Sequence, residues 1–225
     1  DPDHYGGWSG PLNCCEADAD VMHEIAQAQG FQAKILKTAE ATRDAVANAV
    51  RTAAEKLESG DFFLLTYAGH GGQVTDVDGD EEDGKDETWY LYDGQFLDDE
   101  LAILWSHFKE GVRVLLISDS CHSGSVSKGE GERRDDGDAP EGTPRAMPRD
   151  AAIAAMRKNR AFYESLQLNL PNPRPKIHAT IRLLSGCQDD QLSYEHEGNG
   201  MFTKALKKSW GDGSFEGNYA DLHKA

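Results

Sequence analysis

Three stretches of this chain are too apolar to be strands with one wet face, and they restrict its architecture more than any other feature. "DFFLLTYAG" (61–69) and "VRVLLIS" (112–118) are almost continuous apolar runs, and "HATIRLLSG" (178–186) has the same habit. Such runs belong to strands covered on both faces, as in parallel sheets. Helical periods lie between them. "DADVMHEIAQAQ" (18–29) closes on Gly30, a residue common just past a helix end. Val46, Val50, Ala53 and Leu57 share one helical face, residues 98–108 suggest a short helix, and Phe202, Leu206 and Trp210 form a stripe in 200–210. "FQAKILK" (31–37) alternates like a half-buried strand. Strands alternating with helices predict an α/β fold with a mostly parallel sheet covered on both sides.

Two segments break this rhythm. Residues 75–87, "TDVDGDEEDGKDE", are almost wholly acidic, and residues 125–149 are rich in Gly, Pro and charge without an apolar period. The second reads as a flexible linker between a larger part, 1–124, and a smaller part, 150–225. With 23 basic and 40 acidic side chains among 225 residues the formal charge is −17. That argues against nucleic acid or an anionic membrane as partner and suits cationic substrates or a divalent metal. No apolar run approaches the roughly 18 residues needed to span a bilayer. The cysteines Cys14, Cys15, Cys121 and Cys187 form neither a disulfide framework nor a zinc pattern, which points to a reducing compartment, the cytoplasm.

"YAGHGG" (67–72) and "SDSCHSG" (118–124) stand at the C-terminal ends of two expected buried strands, the edge where open α/β sheets form sites. If those strands are neighbours, His70 and Cys121 face each other across a crevice. An imidazole there raises the thiolate fraction of a thiol whose ordinary pKa is about 8.5. The glycines after His70 allow close backbone approach, and N–H groups of that turn and of Cys121 suit an oxyanion. His122 cannot point into the same pocket as its neighbour. Cys14, Cys15 and Cys187 are assigned to packing. A phosphatase loop of C-x5-R type is excluded because position 127 is Ser.

Together, "YAGHGGQ…DVDGDEEDGKDETWYLYD…LDDEL…DSCHSGS…SGCQDDQLS" resembles the metacaspases, caspase-like cysteine peptidases of bacteria, plants, fungi and protists, from roughly Leu12 to Trp210. In caspases the histidine precedes the cysteine by about 50 residues, as His70 precedes Cys121 here. The Q-A-C-[RQG]-G sequence of true caspases is absent. The resemblance implies a caspase-like three-layer α/β sandwich and an endopeptidase cutting after Arg or Lys. His70 would be the base and acid, Cys121 the nucleophile, and Gly71 with Cys121 the oxyanion donors. Asp18 and Asp119 would line the acidic pocket for the substrate's first residue, where Ala68 replaces a serine of the family.

The resemblance also implies calcium as an activator, though not a reactant, at a site matching Asp86, Asp98 and Asp99; its fourth aspartate falls on Lys128. A rival metal reading sees Asp76, Asp78, Asp80 and Glu87 at EF-hand positions, but Glu81 stands where that loop needs Gly. A catalytically inert scaffold or calcium-responsive interaction module is the alternative to an enzyme. Lys128, Arg133, Arg134, Arg145 and Arg149 make the linker a candidate for self-cleavage, with Arg133 or Arg134 favoured. The polar start at Asp1 and the lack of strands after the last helix suggest a fragment or a processed form.

Overall fold

The computed structural model describes residues 1–77, 79, 81, 84–120, 143–186, 194–196 and 198–224. In chain order its helices are α1 (Cys15–Ala28), α2 (Arg43–Lys56), α3 (Asp98–Ser106), α4 (Arg149–Leu168), α5 (Met201–Trp210) and α6 (Tyr219–Lys224). Its strands are β1 (Phe62–Ala68), β2 (Gly71–Thr75), β3 (Lys85–Leu91), β4 (Gly94–Leu97), β5 (Arg113–Asp119), β6 (Thr143–Pro144), β7 (Thr180–Ser185), β8 (Tyr194–His196) and β9 (Asn199–Gly200).

The three apolar runs become β1, β5 and β7, a parallel sheet with β5 in the centre. The period-2 alternation of β5 divides the core. Val114 and Leu116 face α2 and α3, packing with Val50, Leu104, Trp105 and Phe108. Leu115 and Ile117 face α1 and α5, packing with Met22, Leu184 and Leu206. Helices on both faces of a parallel sheet make the three-layer α/β sandwich expected of this pattern.

A second, antiparallel sheet, β2-β3-β4, starts directly after His70. The acidic stretch lies largely in its first hairpin, where Asp76 accepts N–H bonds from Gly79 and Glu81. A third small sheet joins β6 to β8 and β9. No helix among the described residues is long and apolar enough to cross a membrane.

Three expectations need correction. Of the runs expected to be covered on both faces only β5 is buried almost throughout, whereas β1 is half-buried and β7 largely exposed. Residues 31–37 form no strand, and their exposure alternates only as far as Ile35. Phe31 lies edge-on to Phe62, 5.7 Å between ring centroids, and so packs against β1 without pairing with it. The end of the expected linker is also packed, with Arg145 and Met147 buried and α4 beginning at Arg149. Only Ala155, Tyr163 and Gln167 of α4 are buried, too sparse a stripe to stand out as a helical period.

Candidate active site

The sheet edge brings the two motifs together. β1 and β5 pair in parallel with Ala68 opposite Asp119, and the Gly69 N–H donates to the Asp119 carbonyl. Tyr67 fixes the turn that follows. Its hydroxyl donates to the His70 carbonyl at 2.7 Å and accepts the Tyr90 N–H at 3.1 Å. That hydroxyl also explains a glycine, because a Cβ at Gly69 would lie 2.4 Å from it.

His70 is buried beneath the N-terminal segment. The Trp8 ring tilts over it at 4.6 Å between centroids, and Nε2 lies 3.3 Å from the Gly10 carbonyl. Nδ1 has no hydrogen-bond partner among the described residues. Burial lowers the imidazole pKa to about 4, against the opposing pull of the Gly10 and Arg145 carbonyls and the Glu195 charge. His70 is therefore neutral at physiological pH, the form that accepts a proton.

Asp18, one turn into α1, and Asp119, the last residue of β5, converge on a guanidinium from the same chain, that of Arg145. Arg145 has 0% of its surface exposed. Its Nη2 pairs with Asp18, and Nη1 lies 2.9 Å from Asp119 Oδ2 and donates to the Asp119 carbonyl. Glu195 Oε1 stands 4.0 Å from Nη2. The carboxylates are held in turn. Asp18 accepts from the Gly200 N–H and the Asn199 side chain, each at 2.9 Å. Asp119 accepts from the Thr203 hydroxyl at 3.0 Å, and Glu195 accepts the N–H groups of Asn13 and Cys14 at the start of α1. Gly200 forms a wall where a Cβ would lie 2.5 Å from both Arg145 Nη2 and Asp119 Oδ2.

The backbone around Arg145 is equally engaged. Thr143 and Pro144 pair antiparallel with Glu195 and Tyr194, and Pro144, lacking an N–H, follows the ladder without breaking it. The Arg145 carbonyl accepts the Gly71 N–H at 3.3 Å, and Ala146 bridges to Gly71. Met147 is buried among Tyr5, Trp8, Tyr90 and Ala155.

Of the residues expected from sequence, His70, Gly71, Ala68, Asp18 and Asp119 thus share one site. Ala68 offers no side-chain donor there. Cys121, His122, Cys187, Lys128, Arg133 and Arg134 lie outside the described residues, as do Asp78 and Asp80. Cys15 lies close to the pocket, its thiol 3.8 Å from Glu195, and burial pushes its pKa up to about 12, so it stays protonated. Arg145, Glu195, Gly200, Thr203, Trp8 and Gly10 were not expected in these places. The one available signal was "TPRAMP", an arginine between prolines inside an otherwise loose stretch.

The expected calcium ligands lie on β3 and α3. Asp86, opposite Val74, is buried, and both oxygens of Asp99 pair with Arg174. Asp98 gathers instead with Glu81 and Glu87, their ligand oxygens within 4.8 Å of one another. Burial first, then the charges of Glu87, Asp99 and Glu81, push Asp98 up to about 7, against the N–H bond from Asp99. Crowded hard oxygen donors of this kind fit calcium.

A family model for the caspase domain matches residues 2–225. Metacaspase-1 of Kluyveromyces lactis is 36% identical over 138 residues, covering 55% of this chain and 32% of that protein. Metacaspase-1A of Aspergillus clavatus is 40% identical over 138 residues, again 55% of this chain and 32% of the relative. The match thus spans about a third of the length of these curated relatives. A crystal structure of a Geobacter sulfurreducens protein superposes with a TM-score of 0.87 at 47% identity, covering 100% of this chain and 82% of that one. A caspase-domain match along almost the entire chain, on a sheet edge built in this way, puts the chain in the caspase-domain family, with metacaspases among its relatives.

Proposed function

We propose that the chain is a cysteine endopeptidase that cuts after arginine, and less readily after lysine, and that its first substrate is its own Arg145–Ala146 bond. The observation that carries this reading is the seating of Arg145. Its guanidinium fills the acidic pocket, its carbonyl meets the Gly71 N–H, and the residues before it pair with β8 as an added strand.

The chemistry follows from those contacts. Neutral His70 takes the Cys121 thiol proton through Nδ1, and the thiolate attacks the Arg145 carbonyl carbon. The Gly71 N–H, already on that carbonyl oxygen, stabilises the charge that develops there, a donor typically worth about 3–4 kcal/mol. His70 passes the proton to the Ala146 nitrogen as the C–N bond breaks. Water then hydrolyses the thioester.

The two arms of a planar guanidinium reach Asp18 and Asp119 from fixed, separate positions, whereas an ammonium is a single compact charge without that fork, so Arg is favoured over Lys. An acidic side chain would bring further negative charge among three carboxylates, at a cost of several kcal/mol. Calcium, the activator this reading includes, would be held by Asp98 with Glu81 and Glu87 at the start of α3. It would supply charge neutralisation there and no step of the reaction.

Mass spectrometry of the protein incubated with calcium, beside Cys121→Ala, tests the proposal. Cleavage after Arg145, rather than after Arg133 or Arg134, is expected in the parent only. Cutting after acidic residues, or equal cutting in Cys121→Ala, would overturn it. Equal alkylation of Cys121, the buried Cys14 and the half-buried Cys15 would instead favour an inert scaffold.

A further inference from the structure

Both sides of the Arg145–Ala146 bond are anchored, and this bears on what happens once it is cut. On the acyl side, Arg145 is buried in its carboxylate pocket and the chain before it pairs with β8. On the amine side, Ala146 bridges to Gly71 and Met147 is 3% exposed in the Tyr5, Trp8, Tyr90 and Ala155 cluster. Ala146, Met147 and Pro148 alone separate the bond from α4. That helix is itself fastened. Tyr163 accepts the Gln95 N–H at 2.7 Å, Gln167 bonds to both Thr75 and Val77, and Asn159 donates to the His4 carbonyl. None of these contacts passes through the bond itself.

Peptide hydrolysis ordinarily runs to completion because the two ends diffuse apart. Here the new amino group stays beside the acyl carbon, and a reactant held in place acts at an effective concentration far above any free one. We infer that the site also works in reverse, re-forming the Arg145–Ala146 bond, so that self-processing ends in a balance between cut and resealed chains. The inference rests on the peptidase reading above. In the resealing step the Ala146 nitrogen attacks the Arg145 thioester carbonyl. The C–N bond forms, the C–S bond breaks, and the proton leaves nitrogen through His70 to the Cys121 sulfur. Starting from the hydrolysed chain, the Arg145 carboxylic acid first regains the thioester with loss of water. No other reactant is needed.

Incubation of the protein in heavy-oxygen water tests this. Hydrolysis leaves one light and one heavy oxygen on the Arg145 carboxyl, and either can depart as water when the thioester re-forms. Heavy oxygen thus builds up at the Arg145 carbonyl over successive cycles of cutting and resealing. Intact chains should therefore gain the mass of one heavy oxygen in the peptide spanning the bond, read after digestion with a protease that does not cut at Arg. Met147→Gly, which empties the clasp, should process to completion and lose the label from its intact chains, while Met147→Leu keeps both. Label confined to cut chains in the parent would overturn resealing and leave the peptidase reading standing. Absence of any cut at Arg145 would overturn both.

Discussion

Two acidic clusters in this molecule discharge themselves in opposite ways. Around the pocket, Asp18, Asp119 and Glu195 enclose Arg145, and each carboxylate also accepts a backbone N–H. At the start of α3, Glu81, Glu87 and Asp98 converge, and Asp98 keeps its proton up to about pH 7. Burial makes unbalanced charge costly, so a cluster takes up either a cation or a proton. The first is balanced by a cation from the chain itself, the Arg145 guanidinium. The second holds a proton that a cation can displace. Acidity alone therefore does not distinguish the two clusters; the group that balances it does.

Removing that arginine breaks the comparison most forcefully. Arg145→Ala leaves Asp18 and Asp119 buried and facing each other, and breaking a buried pair from one side typically costs about 3–5 kcal/mol. The loss should appear in chemical denaturation of the Cys121→Ala background, where cutting cannot intervene. Arg145→Lys should recover part of it. Free arginine at millimolar concentration should restore stability in Arg145→Ala by mass action and do nothing for the parent. An unchanged denaturation midpoint in Arg145→Ala would mean that the pocket does not depend on its cation.

How much of this was legible follows the same division. His70, Asp18 and Asp119 sit at the ends of regular elements, and the apolar runs of β1 and β5 bring two of them to one sheet edge. The groups that hold the carboxylates come from elements with little signal. Glu195 and Gly200 lie on strands of three and two residues. β6 has only two residues, so its pairing is a consequence of tertiary fit and leaves no period in the sequence. Trp8 and Gly10 lie in an irregular segment whose role is to cover His70. Arg145 was visible as one base among several in the linker. What singles it out is the charge of residues distant in sequence. At the second cluster Asp98 converges with Glu81 and Glu87, whereas Asp99 is engaged by Arg174, a pairing across 75 positions that no local pattern signals.

A gentler change separates the clusters. In Gly200→Ala the new Cβ would crowd Arg145 and Asp119 at 2.5 Å without touching their charges. Overpacking of this kind costs about 1–3 kcal/mol, so self-processing should slow by roughly 5- to 150-fold, at 1.36 kcal/mol per tenfold. Calcium binding at Asp98 should be unaffected. A parent-like processing rate in Gly200→Ala would show that Arg145 is not seated in the pocket when the bond is cut.

The smallest effect concerns protons. His70 titrates near 4 in the fold against an ordinary 6.5, and Asp98 near 7 against 3.8. Between about pH 4 and 6.5 the unfolded chain therefore holds more proton at His70 than the folded one, and this contribution makes stability rise with pH. At Asp98 the folded chain holds the extra proton from about pH 4 to 7, and stability falls as pH rises through that window. The two slopes oppose each other, so the parent should be nearly flat across it. Asp98→Asn removes one of them. Its stability should climb from pH 4 to 6.5, and its gain over the parent should grow to on the order of 1 kcal/mol at pH 7, discounting the shift for the partial exposure of Asp98. Calcium acts on the same proton. Its binding should strengthen as pH rises toward 7 and release protons below that point, measurable by calorimetry in buffers of different ionisation enthalpy. Asp98→Asn should abolish the release. Calcium binding without proton release in the parent at pH 6 would place the cation away from Asp98 and remove the contrast between the two clusters.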